Sequence, residues 1–469
     1  MTEPMIRLHN VSYTYPFQGQ KAIDGISFTV NPGKAILCTG ASGCGKSTLI
    51  RLINGLAPHF FHGQLQGRVS IAGTDTDKST LHTLSKTVGS LFQDPEQQFF
   101  ALNVMDELAF ALECRGLAPE KIQTEIRRVT KDLHLSSILN SSIFDLSQGE
   151  KQKVALACAL VLHPKIIVLD EPSANLDPDA TQQLADILVA LKHQGVTLFI
   201  ADHRLYWLRD VVDQVFILKE GKMATQGDFS LLDREAVQTK FGLRKTMVHS
   251  PPKSLGCASC REKDIDIQKM SFGFKGKPLL FDAMNIALSK GEVTAITGKN
   301  GTGKTTFAKL LTGLLPLKQG TIFIDGDKKS PRTLLKKGSI VLQNADHQLH
   351  MKSVRQELEI SMGLIKKRHP SGEKIEELLS RFGLIRFADR HPQSLSGGQK
   401  QRLVIACGII KSPEILILDE PTSGLDGVNM HVISEMMQQL AAQGTCVLVI
   451  THDLELIGEA CSSVLEFPF

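Results

Sequence analysis

Two phrases, "GASGCGKST" and "GKNGTGKTT", carry the sharpest chemistry in the chain. Both fit GxxxxGK[ST]. With glycine near 7 % of residues, chance matches in a chain this long should number on the order of 10⁻². Glycines let a backbone curl until its N–H groups converge, and a helix opening there adds a favourable dipole, so the cradle suits a polyphosphate. The first expected cradle is Gly40, Ala41, Ser42, Gly43, Cys44, Gly45, Lys46, Ser47 and Thr48. The second is Gly298, Lys299, Asn300, Gly301, Thr302, Gly303, Lys304, Thr305 and Thr306. Lys46 and Lys304 should reach the terminal phosphates, and Ser47 and Thr305 should ligate Mg²⁺.

Other residue types complete the chemistry. "IIVLDE" and "ILILDE" end apolar runs in paired acids. Asp170 and Asp419 are placed to hold the ion through water, and Glu171 and Glu420 to polarise an attacking water. Gln93 and Gln343 follow apolar runs and can touch both the metal ion and that water. His203 and His452 each follow an apolar run, where a neutral imidazole could hold the γ-phosphate and orient the water. A lone Gln is usually a surface residue and a lone His usually structural; it is the matched placement that argues for function. Tyr15 and Phe274, 25 and 24 residues before their glycine loops, could stack on a base. Cys44, inside the first loop, should make that site sensitive to a bulky thiol reagent.

The elements that must position these residues occur twice. Asp170 and Asp419, and His203 and His452, lie 249 residues apart, as do the phrases "LSQGE" and "LSGGQ" at Leu146 and Leu395. The glycine loops lie 258 apart, and part of the excess in the first copy is "APHFFHGQLQG". This is an internal duplication. The expected boundaries are a first domain over 1–243, a Pro/Ser-rich linker over 244–262 and a second domain over 263–469. The hairpin-like "KEGKMATQG" has no partner in the second copy. Apolar runs such as "KIIVLD" and "TLFIAD" suit strands buried on both faces, and "QQLADILVALKHQG" suits a crossover helix closed by Gly195. The fold class is α/β: two tandem P-loop NTPase domains, each with a parallel-sheet core, an antiparallel β part and a helical subdomain.

Composition bounds the rest. Charged residues make up 22 % of the chain and the net charge is +4. The charge pattern holds no dense basic block of the kind a nucleic-acid binder shows. With nine cysteines and no secretory signal opening the sequence, a reducing, cytosolic compartment is expected. Cys257 and Cys260 form a lone CxxC, a weak metal signal without a second pair. No run reaches the roughly 18 apolar residues needed to cross a bilayer. Any membrane role is therefore expected to be peripheral, at the cytoplasmic face.

Taken together, the phrases resemble the ATP-binding-cassette (ABC) family over nearly the whole chain: Walker A, glutamine loop, LSGGQ signature, Walker B with its Glu, the "NLD" and "GLD" loops at Asp177 and Asp426, and a histidine loop, twice over. The resemblance implies an ATPase that uses ATP and Mg²⁺ and pairs its two domains head to tail within one chain. Each nucleotide is then closed over by the other domain's signature. Ser396, Gly398 and Gln399 would complete the site of Lys46, Gln93, Glu171 and His203. Ser147 and Gly149 of the worn copy would complete the site of Lys304, Gln343, Glu420 and His452. In the worn copy Gln148 replaces a glycine, where a side chain can restrict close approach, and Glu150 adds a carboxylate near phosphate. Both sites are expected to bind ATP and the first to hydrolyse it faster.

"FQDPEQQFF", "LQNADHQLH" and "ADHRLYWLRDVVDQVFIL" resemble, more narrowly, the ATPase subunits of energy-coupling-factor (ECF) importers, which take up vitamins or transition-metal ions. Partners would be integral membrane subunits, one for coupling and one for substrate, and no nucleic acid. Asp106 and Glu107, with Glu357 and Glu359, are expected as exposed acids of a docking groove. The alternatives are the fused ATPase of a sugar-type importer and a soluble ABC protein acting on ribosomes or DNA.

Overall fold

The computed structural model describes residues 3–467 apart from 18, 175, 249–263, 277 and 364–371. Cys257, Cys260 and most of the expected linker lie outside the described residues. The chain divides into two compact units, whose main spans are Met1–Met247 and Val248–Leu425 with Asn429–Phe469.

The first unit contains β1 (Ile6–Thr14), β2 (Ile23–Val30), β3 (Ala35–Thr39), β4 (Gln64–Ile71), β5 (Thr74–Asp75), β6 (Val88–Leu91), β7 (Ile166–Asp170), β8 (Thr197–Ala201), β9 (Gln214–Lys219) and β10 (Lys222–Gly227). An antiparallel sheet has the order β2-β1-β4-β5. The main sheet has the order β10-β9-β3-β8-β7-β6, parallel except for β10 at its edge. β9 and β10 are joined through Glu220 and Gly221, both at positive φ, as a tight two-residue hairpin requires.

β3 and β8 are buried at every position, as expected for strands covered on both faces. Alternate side chains serve two cores. Leu37, Leu169 and Ile200 join one cluster, whereas Ile36, Val168 and Phe199 join the other. The first cluster takes in the helical subdomain through Val104, Leu108, Ile122 and Ile126. The second takes in the antiparallel sheet and the helix Lys46–Ile53. The crossover helix Pro178–His193 opens on Asp177, whose side chain accepts the Ala180 N–H at 2.8 Å, and ends before Gly195 at φ +87°.

The second unit repeats the plan with β11 (Ile265–Phe272), β12 (Phe281–Leu288), β13 (Val293–Gly298), β14 (Gln319–Ile324), β15 (Asp327–Lys328), β16 (Gly338–Val341), β17 (Ile415–Asp419), β18 (Cys446–Ile450) and β19 (Ser463–Phe467). Its antiparallel sheet runs β12-β11-β14-β15 and its parallel sheet β16-β17-β18-β13-β19. Among the described residues nothing extends this sheet beyond β19, where β10 closes the first unit.

Candidate functional site

In each unit the sequence-predicted residues gather at the C-terminal edge of neighbouring parallel strands, where open α/β sheets bind ligands. The first loop leaves β3, Gln93 follows β6, Asp170 ends β7 and His203 follows β8. In the second unit Gly298 ends β13, Gln343 follows β16, Asp419 ends β17 and His452 follows β18.

The loops are built for glycine. Gly40 and Gly298 have φ of +146° and +126°. A Cβ there would lie 2.3 Å from the Leu218 carbonyl oxygen, or 2.0 Å from that of Phe467. Each loop opens a helix, Lys46–Ile53 or Lys304–Leu311, with glycine at the N-cap, no side-chain cap and no acid in the first turn. Helices elsewhere in the chain are capped by Asp177, Ser147 and Asn103. Two uncapped N-termini leave backbone donors for an anion. Lys46 and Lys304 are only 5 % and 7 % exposed. Lys46 Nζ donates to the Gly40 and Ala41 carbonyls at 3.1 and 3.4 Å, and Lys304 Nζ to those of Gly298 and Lys299 at 2.6 and 2.8 Å. The ammonium groups thus sit folded onto the cradles that they would share with phosphate.

The Thr305 hydroxyl donates to Asp419 Oδ2 at 2.7 Å. In the first unit Ser47 hydrogen-bonds Asp170, while Asp170 Oδ1 is buried without a hydrogen-bond partner. Burial raises both aspartates from their ordinary value. A hydroxyl and a carboxylate with an unmet oxygen are hard donors that fit Mg²⁺.

Glu171 and Glu420 both adopt left-handed backbone, at φ +48° and +47°. That conformation costs a non-glycine residue about 1–2 kcal/mol. It is held by the hydrogen bonds of their N–H groups to Ala201 and Ile450 carbonyls, 2.7 and 2.8 Å. Gln93 Nε2 donates to Glu171 Oε2 at 2.9 Å, and His203 Nε2 lies 3.5 Å from Glu171 Oε1. Burial pushes the Glu171 carboxyl up to about 8 and holds His203 neutral, well below its ordinary value. In the second unit the His452 N–H donates to Glu420 at 3.0 Å, and its ring Nε2 lies 3.1 Å from Asn300 Oδ1. In the first unit a buried carboxyl group, a side-chain amide and a neutral imidazole are therefore assembled beside the glycine loop.

Tyr15 is tied to the first cradle through its hydroxyl, 3.2 Å from Thr48 Oγ1, and accepts from Arg51 at 2.8 Å. Phe274 is half exposed. Ser147 and Ser396 are the N-caps of Gln148–Leu160 and Gly397–Ile409, and Gly149, Gly398 and Gln399 lie in their first turns. In the first unit the Ser147 N–H and hydroxyl both donate to Glu150 Oε2, at 2.8 and 2.7 Å. In the second, the Gln399 amide accepts the Ser396 N–H at 3.0 Å. A Cβ at Gly397, the position that matches Gln148, would meet nothing within 4 Å.

Two expectations are corrected. Glu107 and Glu357 are buried, not exposed, because each carboxylate accepts two backbone N–H groups: Phe100 and Ala101 at 2.8 and 2.7 Å, His350 and Met351 at 2.5 and 2.6 Å. Cys44 is 4 % exposed and its thiol is pushed up by burial, which shields it and disfavours the thiolate a reagent attacks.

Sequence reasoning missed Ser173 and Thr422. Their hydroxyls donate to Asp202 and Asp453 at 2.8 and 2.7 Å, behind the two histidines. The shared 249-residue spacing of the hydroxyls was the available signal. The acids sit at non-matching positions, which hid the pair.

Glycine loop, uncapped helix, paired acids and histidine on such a sheet define a nucleoside-triphosphate-binding domain, present twice. The ABC transporter family profile matches residues 23–174 and 281–423. A Treponema denticola protein provisionally named an ABC transporter ATP-binding protein is 39 % identical, over 98 % of this chain and 95 % of its own. A Bacillus subtilis protein provisionally named an HMP/thiamine import ATP-binding protein, YkoD, is 33 % identical, over 99 % of this chain and 90 % of its own. An archaeal ribosome recycling factor shares the fold, with a TM-score of 0.66 and 22 % identity over 98 % of this chain and 87 % of that one. The chain belongs to the ABC transporter family and is an ATPase with two fused ABC domains.

Proposed function

We propose that the chain is the energising subunit of an ECF-type importer, bound to the cytoplasmic face of a membrane through integral membrane partners. Among the described residues no helix is long and apolar enough to cross a membrane, so the reading places the transport path in those partners. The observation that carries the enzymatic part is Glu171, held at positive φ with Gln93 and His203 on its carboxylate. Glu171 and Glu420 polarise the attacking water, Gln93 and Gln343 position it, and His203, held neutral by burial, and His452 orient it. Lys46, Lys304 and the loop N–H groups stabilise charge on the transferring phosphoryl group, which needs positioning more than covalent chemistry. Ser47 with Asp170, and Thr305 with Asp419, would hold Mg²⁺, whose contribution is charge neutralisation of the phosphates.

In the ATP-loaded state each nucleotide is completed by the other domain's signature phrase, Ser396–Gln399 for Lys46 and Ser147–Gly149 for Lys304. Driving such a two-state closure from 1:99 to 99:1 takes about 5.5 kcal/mol of differential binding. Two nucleotides gripped only in the closed state are the source of that energy. The hydroxyl-to-carboxylate bond of Ser147 supports a slower second site.

The phrases "FQDPEQQFF" and "LQNADHQLH" and the name of the Bacillus relative support an importer of a vitamin or transition-metal ion. The docking surface in the first domain is better sought in the exposed Phe100, Leu102 and Phe110 than in Glu107. The test is ATP-driven uptake into vesicles that hold the chain with its co-purifying membrane proteins. Uptake of a thiamine precursor, another vitamin or Co²⁺ supports the reading. Uptake of a sugar, or of nothing while ribosomes co-sediment, overturns it.

A further inference from the structure

The turn after each glutamine loop is fastened twice, in the same way in both domains. In the first, Pro95–Gln98 forms a 3₁₀ turn in which Asp94 accepts the Glu96 N–H at 3.1 Å and Gln98 accepts the Phe92 N–H at 2.8 Å. In the second, Ala345–His347 forms the same turn, with Asn344 accepting the Asp346 N–H at 2.9 Å and Gln348 the Leu342 N–H at 3.2 Å. Gln93 and the acid at 96 are therefore three residues apart on one stiff piece of backbone.

That acid reaches the helix that carries the signature phrase. Lys151 Nζ lies 2.6 Å from Glu96, and Lys400 Nζ lies 2.6 Å from Asp346. The lysine side chains are 10 % and 14 % exposed, although their acids are about half exposed. Both lysines are the fourth residue of their helix, Gln148–Leu160 or Gly397–Ile409. A cation in a first turn opposes the helix dipole, so a nearly buried one, kept twice, is stabilised by the acid; Lys400 also donates to Gln393 Oε1 at 2.8 Å. In the worn signature the residue that replaces glycine joins in: Gln148 Nε2 lies 3.4 Å from Glu96.

We propose that Glu96–Lys151 and Asp346–Lys400 are positioning latches: each couples its domain's glutamine loop to its own signature helix, so that displacement of the loop at one nucleotide carries the signature phrase facing the other. The inference rests on the functional reading above, in which the loop touches one nucleotide and the signature the other. Four side chains would then link the two sites without touching a substrate.

The test uses the full chain in its membrane complex, with ATP turnover, nucleotide affinity, Hill coefficient and melting temperature measured together. Lys151→Met and Glu96→Gln should each lower kcat and the Hill coefficient while nucleotide affinity stays within about twofold; a partly exposed ion pair biases a two-state element by about threefold to fivefold, and kcat should fall by that factor. The charge swap Glu96→Lys with Lys151→Glu should recover turnover, and Lys151→Arg should retain it. Wild-type kcat and cooperativity in the single variants overturn the latch. So does a folded swap, or a Lys151→Arg variant, that stays as impaired as the single variants. Gln93→Ala separates the two claims. If it leaves turnover unchanged, the reading of the loop fails and the latch falls with it; if it impairs turnover while Lys151→Met does not, only the latch fails.

Discussion

The Ser147 hydroxyl donates to its own helix's Glu150 carboxylate at 2.7 Å, and the Ser147 N–H reaches the same oxygen at 2.8 Å. The matching serine, Ser396, faces the neutral amide of Gln399. A carboxylate suits a helix start, but in the proposed function it occupies the hydroxyl hydrogen bond that Ser147 would offer to phosphate. In a Glu171→Gln background, where turnover belongs to the second site, Glu150→Gln should raise kcat by about fivefold, the worth of one hydrogen bond. Unchanged or lower steady-state ATPase would show that the carboxylate is not the restraint.

The buried Glu107 carboxylate is structural. It gathers the N–H groups of Phe100 and Ala101 at the start of the helical subdomain. Glu107→Ala strands both donors, and hydrogen bonds to a charged group are each worth about 1.5–3 kcal/mol. Denaturant unfolding should show a loss of about 3–6 kcal/mol for the first domain, whereas Asp106→Ala, at an exposed position, should change little.

The Glu171 carboxyl, pushed up to about 8 by burial, sets a pH signature for the nucleotide-free protein. Between its ordinary value, near 4.3, and about 8, the folded chain keeps a proton that the unfolded chain has released. Stability from this group therefore falls as pH rises through that window. Glu171→Gln removes the effect, so its melting temperature should gain on wild type as pH is raised from 5 to 9. Parallel curves would contradict the buried-acid assignment.

Cys44 should resist alkylation in the native state. Brief maleimide treatment at neutral pH, read by mass spectrometry, should label the exposed Cys114 and spare Cys44, Cys38 and Cys446, which are buried. Denaturant should open all of them. Rapid native labelling of Cys44 would mean that the first loop opens far more readily than its packing implies.

The fold class and the gathering of the candidate residues at the strand ends of each unit were legible because both rest on local rules. A glycine loop needs positive φ, buried parallel strands need unbroken apolar runs, and a duplication prints each rule twice. What was illegible depended on three-dimensional neighbours. Glu107 reads as a surface acid because nothing local shows the two N–H groups six and seven residues back that bury it. Cys44 reads as reactive because the sequence does not show its burial behind the Lys46 cradle. The Glu96–Lys151 pair spans 55 residues and two elements, and only the second copy, Asp346–Lys400, makes it recognisable as a feature.

The most direct test of the account compares ATP hydrolysis by Glu171→Gln and Glu420→Gln in the intact complex, with nucleotide binding checked in both. Both variants should bind ATP, and Glu171→Gln should remove the larger share of turnover, because in the proposed pairing its site is completed by the LSGGQ phrase. A greater loss from Glu420→Gln, or equal losses, would contradict it.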